Sequence, residues 1–292
     1  MRKLILFFFI IILLFPLNSF SAQYVDALNR TVTIQESPQR IVSLVPSITE
    51  TLFNLGLENR IVAATDFCTY PEAAQKLPKV GGYADPSLES ILLYQPNLVI
   101  AAADMNRPAL VRRLELMGIP VYVVHSQTVA ETLKTIQDIA LITGAEKQGK
   151  KLVDSINKRI QTVQRQIAGR APVTTIECVM LQPLTVAGPD TFINDIINIA
   201  GGKNAVPKGP SRYPTWNTEA LLSVDPEAII VSTYPGQPAP KHFFDGWPQL
   251  KAVKNNRIIL IEADWIHRPG PRMILGIEAL AKALHPDISI DE

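Results

Sequence analysis

One short pattern occurs twice in the chain, as ESILLYQP at residues 89–96 and as EALLSVDP at residues 219–226. In both copies a glutamate stands seven residues before a proline, and an apolar run begins just after that proline. Each copy is typical of a short helix that ends at the proline and leads directly into a buried strand. The offset of 130 residues predicts that the second half of the chain repeats the architecture of the first. Chance similarity between two ordinary helix–strand units is the alternative.

The rest of the chain alternates short apolar runs with stretches of helical periodicity. We expect strands at residues 40–45, 60–64, 97–102, 120–124, 174–181 and 258–262, and helices at 191–200 and 273–284. Strands separated by helices in this order predict parallel βαβ units. The segment SITE at residues 47–50 matches a capping box, which predicts that a helix begins there and ends at Gly56.

A long helix is predicted at residues 146–168, between Gly144 and Gly169. Its apolar residues lie three or four positions apart and form one stripe, which consists of Leu152, Ile156, Ile160, Val163 and Ile167. The predicted fold class is therefore α/β, with two αβ lobes whose central sheets are mostly parallel and which one long α-helix bridges. We expect the first lobe at residues 22–145, the bridging helix at 146–169 and the second lobe at 170–292.

The N-terminal residues predict export. Arg2 and Lys3 precede an unbroken apolar run at residues 4–15, and the small residues Ser19 and Ser21 match a cleavage site. The run is too short for a membrane-spanning helix, which needs about 20 residues. We therefore expect residues 1–21 to be a cleavable signal peptide and the mature protein to be secreted.

The composition excludes several classes of protein. Of the 292 residues 47% are hydrophobic, so the chain can bury a sizeable core and is not disordered. Lys and Arg number 28 against 27 for Asp and Glu, and this near-neutral balance offers no basic surface for nucleic acid. Cys68 and Cys178 are far apart and belong to different predicted lobes, so we expect two separate thiols rather than a disulfide.

No sequence motif indicates catalysis. GxSxG, HExxH and GxGxxG are absent, and the four histidines lack the spacing of metal ligands. We expect a protein that is not an enzyme and that holds no cofactor and no metal site of its own. The alternative from another functional class is a secreted metal-dependent enzyme, in which folding would bring histidines and carboxylates together.

Aromatic residues are concentrated in loops that follow predicted strands. They include Phe67, Tyr70, Tyr83, Tyr213, Trp216, Tyr234 and Trp265. Ligands of αβ sheets bind beyond the carboxyl ends of the strands, so these loops predict a site for a large, flat, partly apolar ligand. Tyr83 and Tyr213 each stand six residues before the repeated glutamate, which gives them equivalent positions in the two lobes.

Motifs distributed along most of the chain carry a family resemblance. They are PQRIVSL at 38–44, PSITE at 46–50, GG at 81–82, PNLVI at 96–100, GIPV at 118–121 and RPGPR at 268–272. Together they resemble the helical-backbone metal receptor family, the periplasmic substrate-binding proteins of ABC importers for iron chelates and cobalamin. The resemblance implies a class III periplasmic binding protein fold, with the ligand in the cleft between the lobes. It also implies a permease dimer with its ATPase as the partner, and we expect the receptor to be a monomer.

Within this family, the chain is most similar to the cobalamin-binding subfamily. This similarity implies that cobalamin is the transported ligand and that its corrin and side chains contact Phe67, Tyr70, Tyr83, Tyr213, Trp216, Asp264, Trp265 and Arg268. It also implies that Glu89 and Glu219, one in each lobe, dock onto arginines of the permease. An acid in the first turn of a helix is also stabilised by the helix dipole, and the two roles are compatible.

Several positions depart from the cobalamin-binding pattern. Ala102 and Ala103 stand where the best-known cobalamin receptor has an aromatic residue, and Leu184 or Thr185 replaces a second one. A ferric siderophore or haem therefore stays open as the ligand. The residues that could serve these ligands are Arg107, Arg212, Tyr234, His267 and Arg268.

Overall fold

A computed structural model of the chain describes residues 21–234, 236, 240 and 242–290. The signal peptide predicted at residues 1–21 lies outside this part of the chain except for Ser21. Among the described residues, no helix is both long enough and apolar enough to cross a membrane. The described chain begins with an antiparallel hairpin, in which β1 (Ser21–Val25) pairs with β2 (Thr31–Gln35).

The first lobe is built on a parallel sheet with the strand order β4-β3-β5-β6. Its strands are β3 (Ile41–Ser43), β4 (Ile61–Ala64), β5 (Leu98–Ala102) and β6 (Val121–Val124). The α-helices of this lobe are α1 (Pro46–Asn54), α2 (Leu88–Leu93), α3 (Pro108–Leu116) and α4 (Val129–Thr143). Two short 3-10 helices lie at Glu58–Arg60 and Glu72–Lys76. Every residue of β5 is buried, which is typical of a parallel strand that helices cover on both faces.

One long helix, α5 (Glu146–Ile167), follows the first lobe. It packs against α4 on one side and against the last helix of the chain on the other. Of the predicted apolar stripe, Ile156, Ile160 and Val163 are buried, and Leu152 and Ile167 pack against the same core. The predicted bridging helix and its buried face are therefore confirmed.

The second lobe is built on a mixed sheet with the strand order β11-β10-β7-β8, in which β9 also pairs with β7. Its strands are β7 (Val173–Leu181), β8 (Leu184–Val186), β9 (Gly202–Asn204), β10 (Ala228–Thr233) and β11 (Ile258–Glu262). The pairing of β7 with β8 is antiparallel, and the other pairings in this sheet are parallel. Its helices are α6 (Phe192–Ile199), α7 (Thr218–Val224), α8 (Lys251–Lys254), α9 (Ala263–His267) and α10 (Met273–Leu284). The predicted fold class is confirmed, whereas the limits of the two lobes stay a prediction.

The repeated pattern forms α2 in the first lobe and α7 in the second. The side chains of Ser87 and Asn217 cap the first turns of these helices. Each helix ends shortly before its proline, and the residue directly before that proline lies in the left-handed region, with φ of 42° at Gln95 and 43° at Asp225. The proline and a strand in the middle of the sheet, β5 or β10, then follow. Both copies therefore build the same local structure.

The capping box predicted at residues 47–50 is wrong. Helix α1 begins at Pro46, its N-cap is Val45, and no side-chain hydrogen bond caps it. Proline suits the first helical position because its φ is already helical and it has no N–H that would need a partner. The side chain of Glu50 is only 1% exposed, and it binds Arg272 of the second lobe instead.

Glu50 and Arg272 form a buried ion pair between the two lobes. Arg272 Nε lies 2.8 Å from Glu50 Oε2, and Arg272 Nη2 lies 2.7 Å from Glu50 Oε1. The guanidinium also reaches Glu262 and Asp264, at 3.2 Å each. Burial opposes its charge, but the hydrogen bonds and charges of Glu50 and Asp264 outweigh this effect and raise the pKa of Arg272. The arrangement holds α1 against the loop before α10.

Replacement of Glu50 by glutamine should destabilise the protein, because it leaves the buried guanidinium with less compensating charge. We expect the free energy of unfolding in urea to fall by about 3 kcal/mol. Asp154→Asn is the control, since Asp154 pairs with Lys150 at 2.7 Å but is 62% exposed. Its expected cost is under about 0.5 kcal/mol. Equal costs in the two variants would contradict a special role for the pair between the lobes.

Candidate functional site

A cavity of about 570 Å³ lies between the two lobes, and we call it the cleft. Its wall is formed by segments that follow the carboxyl ends of β3, β4, β5 and β6 in the first lobe and of β10 and β11 in the second. Phe192 of α6 and the segment between β9 and α7 that carries Arg212 and Tyr213 complete the second-lobe side. The volume is within the range of about 300–1,000 Å³ that is common for small-molecule sites. The cleft therefore lies where the alternating strands and helices predicted a ligand site.

The first-lobe wall of the cleft carries a pair of aromatic rings. Phe67 and Tyr83 pack edge to face, with ring centroids 5.0 Å apart and an angle of 66° between the planes. The loop of Tyr83 is held by Asn106, whose Nδ2 donates to Tyr83 O at 2.7 Å. Asn106 Oδ1 accepts from Ala102 N at 2.8 Å, which ties this loop to the end of β5. Asn106 is a buried positioning residue that the sequence analysis missed.

The second-lobe wall presents Tyr213 and Tyr234, which are 42% and 39% exposed. Burial raises the pKa of the Tyr213 hydroxyl, and the charge of Arg212 offsets only part of this shift. Burial also raises the pKa of the Tyr234 hydroxyl, and the charge of Glu177 adds to it. Both tyrosines are therefore neutral hydrogen-bonding groups at neutral pH. Arg212 lies beside them and donates from Nε to Asp190 O at 2.8 Å.

Charged side chains in the cleft are largely compensated by one another. Arg268 Nη2 lies 2.9 Å from Asp264 Oδ1, and Arg268 Nη1 lies 3.4 Å from Glu50 Oε1. Asp264 also receives a hydrogen bond from Arg272. The two predicted polar contacts with the ligand, Asp264 and Arg268, therefore line the cleft as members of an internal ion-pair network.

The other predicted ligand residues lie outside the cleft lining. The ring of Tyr70 lies 4.0 Å from the guanidinium carbon of Arg272. Trp216 packs against the core under one face of the second sheet, and Trp265 packs against the core shared with α5 and α10. Arg107 is exposed and pairs with Asp85 at 3.5 Å. Of the residues predicted to contact cobalamin, the structure brings together Phe67, Tyr83, Tyr213, Asp264 and Arg268 in the cleft. Of those named for a siderophore or haem, Arg212, Tyr234, His267 and Arg268 line it.

A histidine on the cleft wall is backed by a buried carboxylate. His267 lines the cleft, and its Nε2 lies 3.1 Å from Oε1 of Glu177, whose side chain is fully buried in β7. Ser232 on β10 contacts both residues. The sequence analysis named His267 only as an alternative ligand residue and did not consider Glu177. A signal was present, because a glutamate in the middle of the apolar strand TTIECVML needs a partner.

The two cysteines are free and buried, so the prediction of separate thiols is confirmed. Burial raises the pKa of the Cys178 thiol, and the neighbouring charge of Glu177 adds to this shift. Within the described part of the chain, no three or more His, Cys, Asp or Glu side chains come together in a way that could hold a metal ion.

Glu89 and Glu219 are exposed in the first turns of α2 and α7. Glu89 Oε2 accepts a hydrogen bond from the capping residue Ser87 at 3.3 Å. The two glutamates therefore occupy equivalent surface positions on the two lobes, and their role in docking stays a prediction.

Comparisons with known proteins support a single family. The model of the "Periplasmic binding protein" family matches residues 41–265. An "Uncharacterized ABC transporter substrate-binding lipoprotein YvrC" of Bacillus subtilis is 33% identical, over 90% of this chain and 85% of its own length. A "Vitamin B12-binding protein" of Photorhabdus laumondii is 29% identical, over 87% of this chain and 90% of its own length.

Among solved structures, the periplasmic vitamin B12-binding protein BtuF of Vibrio cholerae is similar, with a TM-score of 0.78 and 26% identity. The match covers 85% of this chain and 97% of that one. The resemblance read from the sequence motifs is therefore confirmed. The chain belongs to the periplasmic binding protein family of ABC-transporter substrate-binding proteins, and its relatives include binding proteins for vitamin B12 and for haem.

Proposed function

We propose that the protein captures cobalamin in the cleft and delivers it to the permease of an ABC importer in the inner membrane. The observation that carries this proposal is the convergence of Phe67, Tyr83 and Tyr213 from both lobes on one cavity of about 570 Å³. Aromatic faces exposed in a preformed cavity suit a large, flat ligand that is apolar over much of its surface.

The charges of the cleft also favour cobalamin. Arg268 and Arg272 are already bound to Glu50 and Asp264, so they bring little net positive charge to a ligand. A ligand with several negative charges would meet these carboxylates as well as the arginines. Cobalamin carries neutral amide side chains and a single phosphodiester, and Arg212 on the cleft wall could receive that one negative group.

The proposed transport role implies a periplasmic location and a permease as the binding partner. Residues 1–21 would direct export to the periplasm and be removed there, and the mature receptor would act as a monomer. Glu89 and Glu219 project from equivalent helices on the two lobes and would meet arginines of the two permease subunits. The protein would bind and release its ligand without chemical change.

Calorimetric titration of the protein that lacks residues 1–21 tests the ligand. We expect one-to-one binding of cyanocobalamin with a dissociation constant below about 1 µM. Haem and a ferric hydroxamate, titrated under the same conditions, should bind far more weakly. Saturation by either iron compound without any heat from cyanocobalamin would reject cobalamin and retain the transport role.

The aromatic wall can be tested with paired substitutions at Tyr83 and Tyr213. Tyr83→Leu and Tyr213→Leu should each weaken cobalamin binding about tenfold, or ~1.4 kcal/mol, because a ring face is lost. Tyr83→Phe and Tyr213→Phe keep the ring and should change the affinity by less than about twofold. If the phenylalanine and leucine variants lose affinity equally, the hydroxyl groups rather than the rings bind the ligand.

Docking to the permease can be separated from ligand capture. The double variant Glu89→Ala with Glu219→Ala should bind cobalamin like the wild type but abolish uptake by cells that depend on the receptor. The control is Glu72→Ala with Glu146→Ala, which removes two other exposed glutamates from the first turns of helices. Normal uptake with the first pair, or loss of uptake with both pairs, would refute specific docking through Glu89 and Glu219.

A further inference from the structure

Glu177 places a carboxylate in the middle of an apolar sheet. It lies between Ile176 and Cys178 on β7, it is paired in register with Ile230 of β10, and its side chain has no exposed surface. Its Oε2 has no hydrogen-bond partner within the described part of the chain. A buried carboxylate is costly unless it is fully paired, so a carboxylate at this position indicates a function beyond the stability of the sheet.

The partners of Glu177 define which nitrogen of His267 carries a proton. Ser232 Oγ donates its hydrogen to Glu177 Oε1 at 2.5 Å. His267 Nε2 lies 2.9 Å from Ser232 Oγ and 3.1 Å from Glu177 Oε1, and both oxygens can only accept from it. Nε2 is therefore the protonated nitrogen, and in neutral His267 the lone pair lies on Nδ1.

The unprotonated nitrogen of His267, Nδ1, lies on the side of the ring that faces the cleft. His267 is one of the cleft-lining residues, and its side chain is 19% exposed. The nearest polar contact of Nδ1 in the described chain is Tyr234 Oη, at 3.5 Å, which is longer than a normal hydrogen bond. Tyr234 also lines the cleft. Nδ1 is thus a nitrogen donor held at the wall of the site.

This geometry differs from that of a hydrolase. In a Ser-His-carboxylate triad the carboxylate binds one ring nitrogen and the serine binds the other. Here Ser232 and Glu177 both contact the same ring nitrogen, Nε2. His267 therefore cannot bind the carboxylate through one nitrogen and take the proton of Ser232 with the other. The arrangement matches a different one, in which a histidine donates one N–H to a buried carboxylate and coordinates a metal through its other nitrogen.

We propose that His267 Nδ1 coordinates the metal at the centre of the transported chelate, at an axial position from which it displaces an exchangeable water. The proposal deepens the function proposed above and rests on it. The nitrogen lone pair forms the new bond, one water leaves the metal for bulk solvent, and no electron is transferred. Glu177 acts through His267, because its negative charge makes the imidazole a stronger donor and fixes the ring.

A chelated metal fits this site better than a free ion. The described residues contain no cluster of three or more ligating side chains, whereas a protein site for a bare ion needs several donors. A macrocycle supplies the remaining donors itself and needs only one from the protein. The aromatic rings of Phe67, Tyr83 and Tyr213 can then cover its apolar surface while His267 selects for the metal.

The test compares two cobalamins that differ in one axial ligand. The water of aquocobalamin exchanges, whereas the cyanide of cyanocobalamin is retained. We expect the wild-type protein to bind aquocobalamin at least about tenfold more tightly and to shift its visible absorption bands, with no such shift for cyanocobalamin. His267→Gln should abolish both the preference and the shift, so that the two cobalamins bind with equal affinity. Glu177→Gln should reduce the preference only in part, by about threefold, because His267 itself is still present.

A matched control and a second probe distinguish the possible failures. His242→Gln should behave like the wild type, since His242 pairs with Asp245 on an exposed surface away from the cleft. Equal affinities for the two cobalamins with unshifted bands would overturn coordination and leave the cobalamin function standing. If neither cobalamin binds, haem becomes the probe. A change in its absorption bands that His267→Gln removes would support His267 and reject cobalamin, and the absence of any change would overturn both.

Discussion

The buried ion pair between Glu50 and Arg272 determines how the two lobes meet. Its two hydrogen bonds of 2.7 and 2.8 Å connect α1 of the first lobe with the loop before α10 of the second. Glu262 and Asp264 add negative charge on the other side of the guanidinium. Removal of one partner would leave charge unpaired in a buried place, so the lobes are held in one relative position. The walls of the cleft depend on this position.

The bridging helix α5 adds a second rigid connection. It packs on helices of both lobes, and Arg159 of α5 binds Glu278 of α10 through two hydrogen bonds of 2.7 and 2.5 Å. We therefore expect the lobes to close only a little around a ligand. The affinity should then come from surfaces that exist before binding, such as the exposed rings of Phe67 and Tyr213.

Local patterns predicted the fold well, because the positions of helices and strands, and of the prolines and glycines that end them, depend on residues close together in the sequence. The repeat at 89–96 and 219–226 and the apolar stripe of α5 are examples. The site was predicted less completely, since a loop's position follows from topology but the direction of its side chains follows from packing. Tyr83 and Trp216 were both predicted to contact the ligand from loops, yet Tyr83 lines the cleft and Trp216 packs against the core. Glu50 resembled the acidic residue of a capping box because of its spacing from Ser47. Its actual partner, Arg272, lies 222 residues away, where no local pattern indicates it.

The departures from the cobalamin-binding pattern have a physical counterpart in the second lobe. In the proposed cobalamin complex, Ala102 on the cleft wall offers no ring face, so one stacking contact, worth about 1 kcal/mol, is absent there. A metal–nitrogen bond can replace that contact only if its donor is already oriented, because a mobile side chain would lose entropy on binding. Glu177 and Ser232 provide this orientation for His267. On the proposal made above, the buried carboxylate of Glu177 belongs to the ligand site, which gives its costly burial a function.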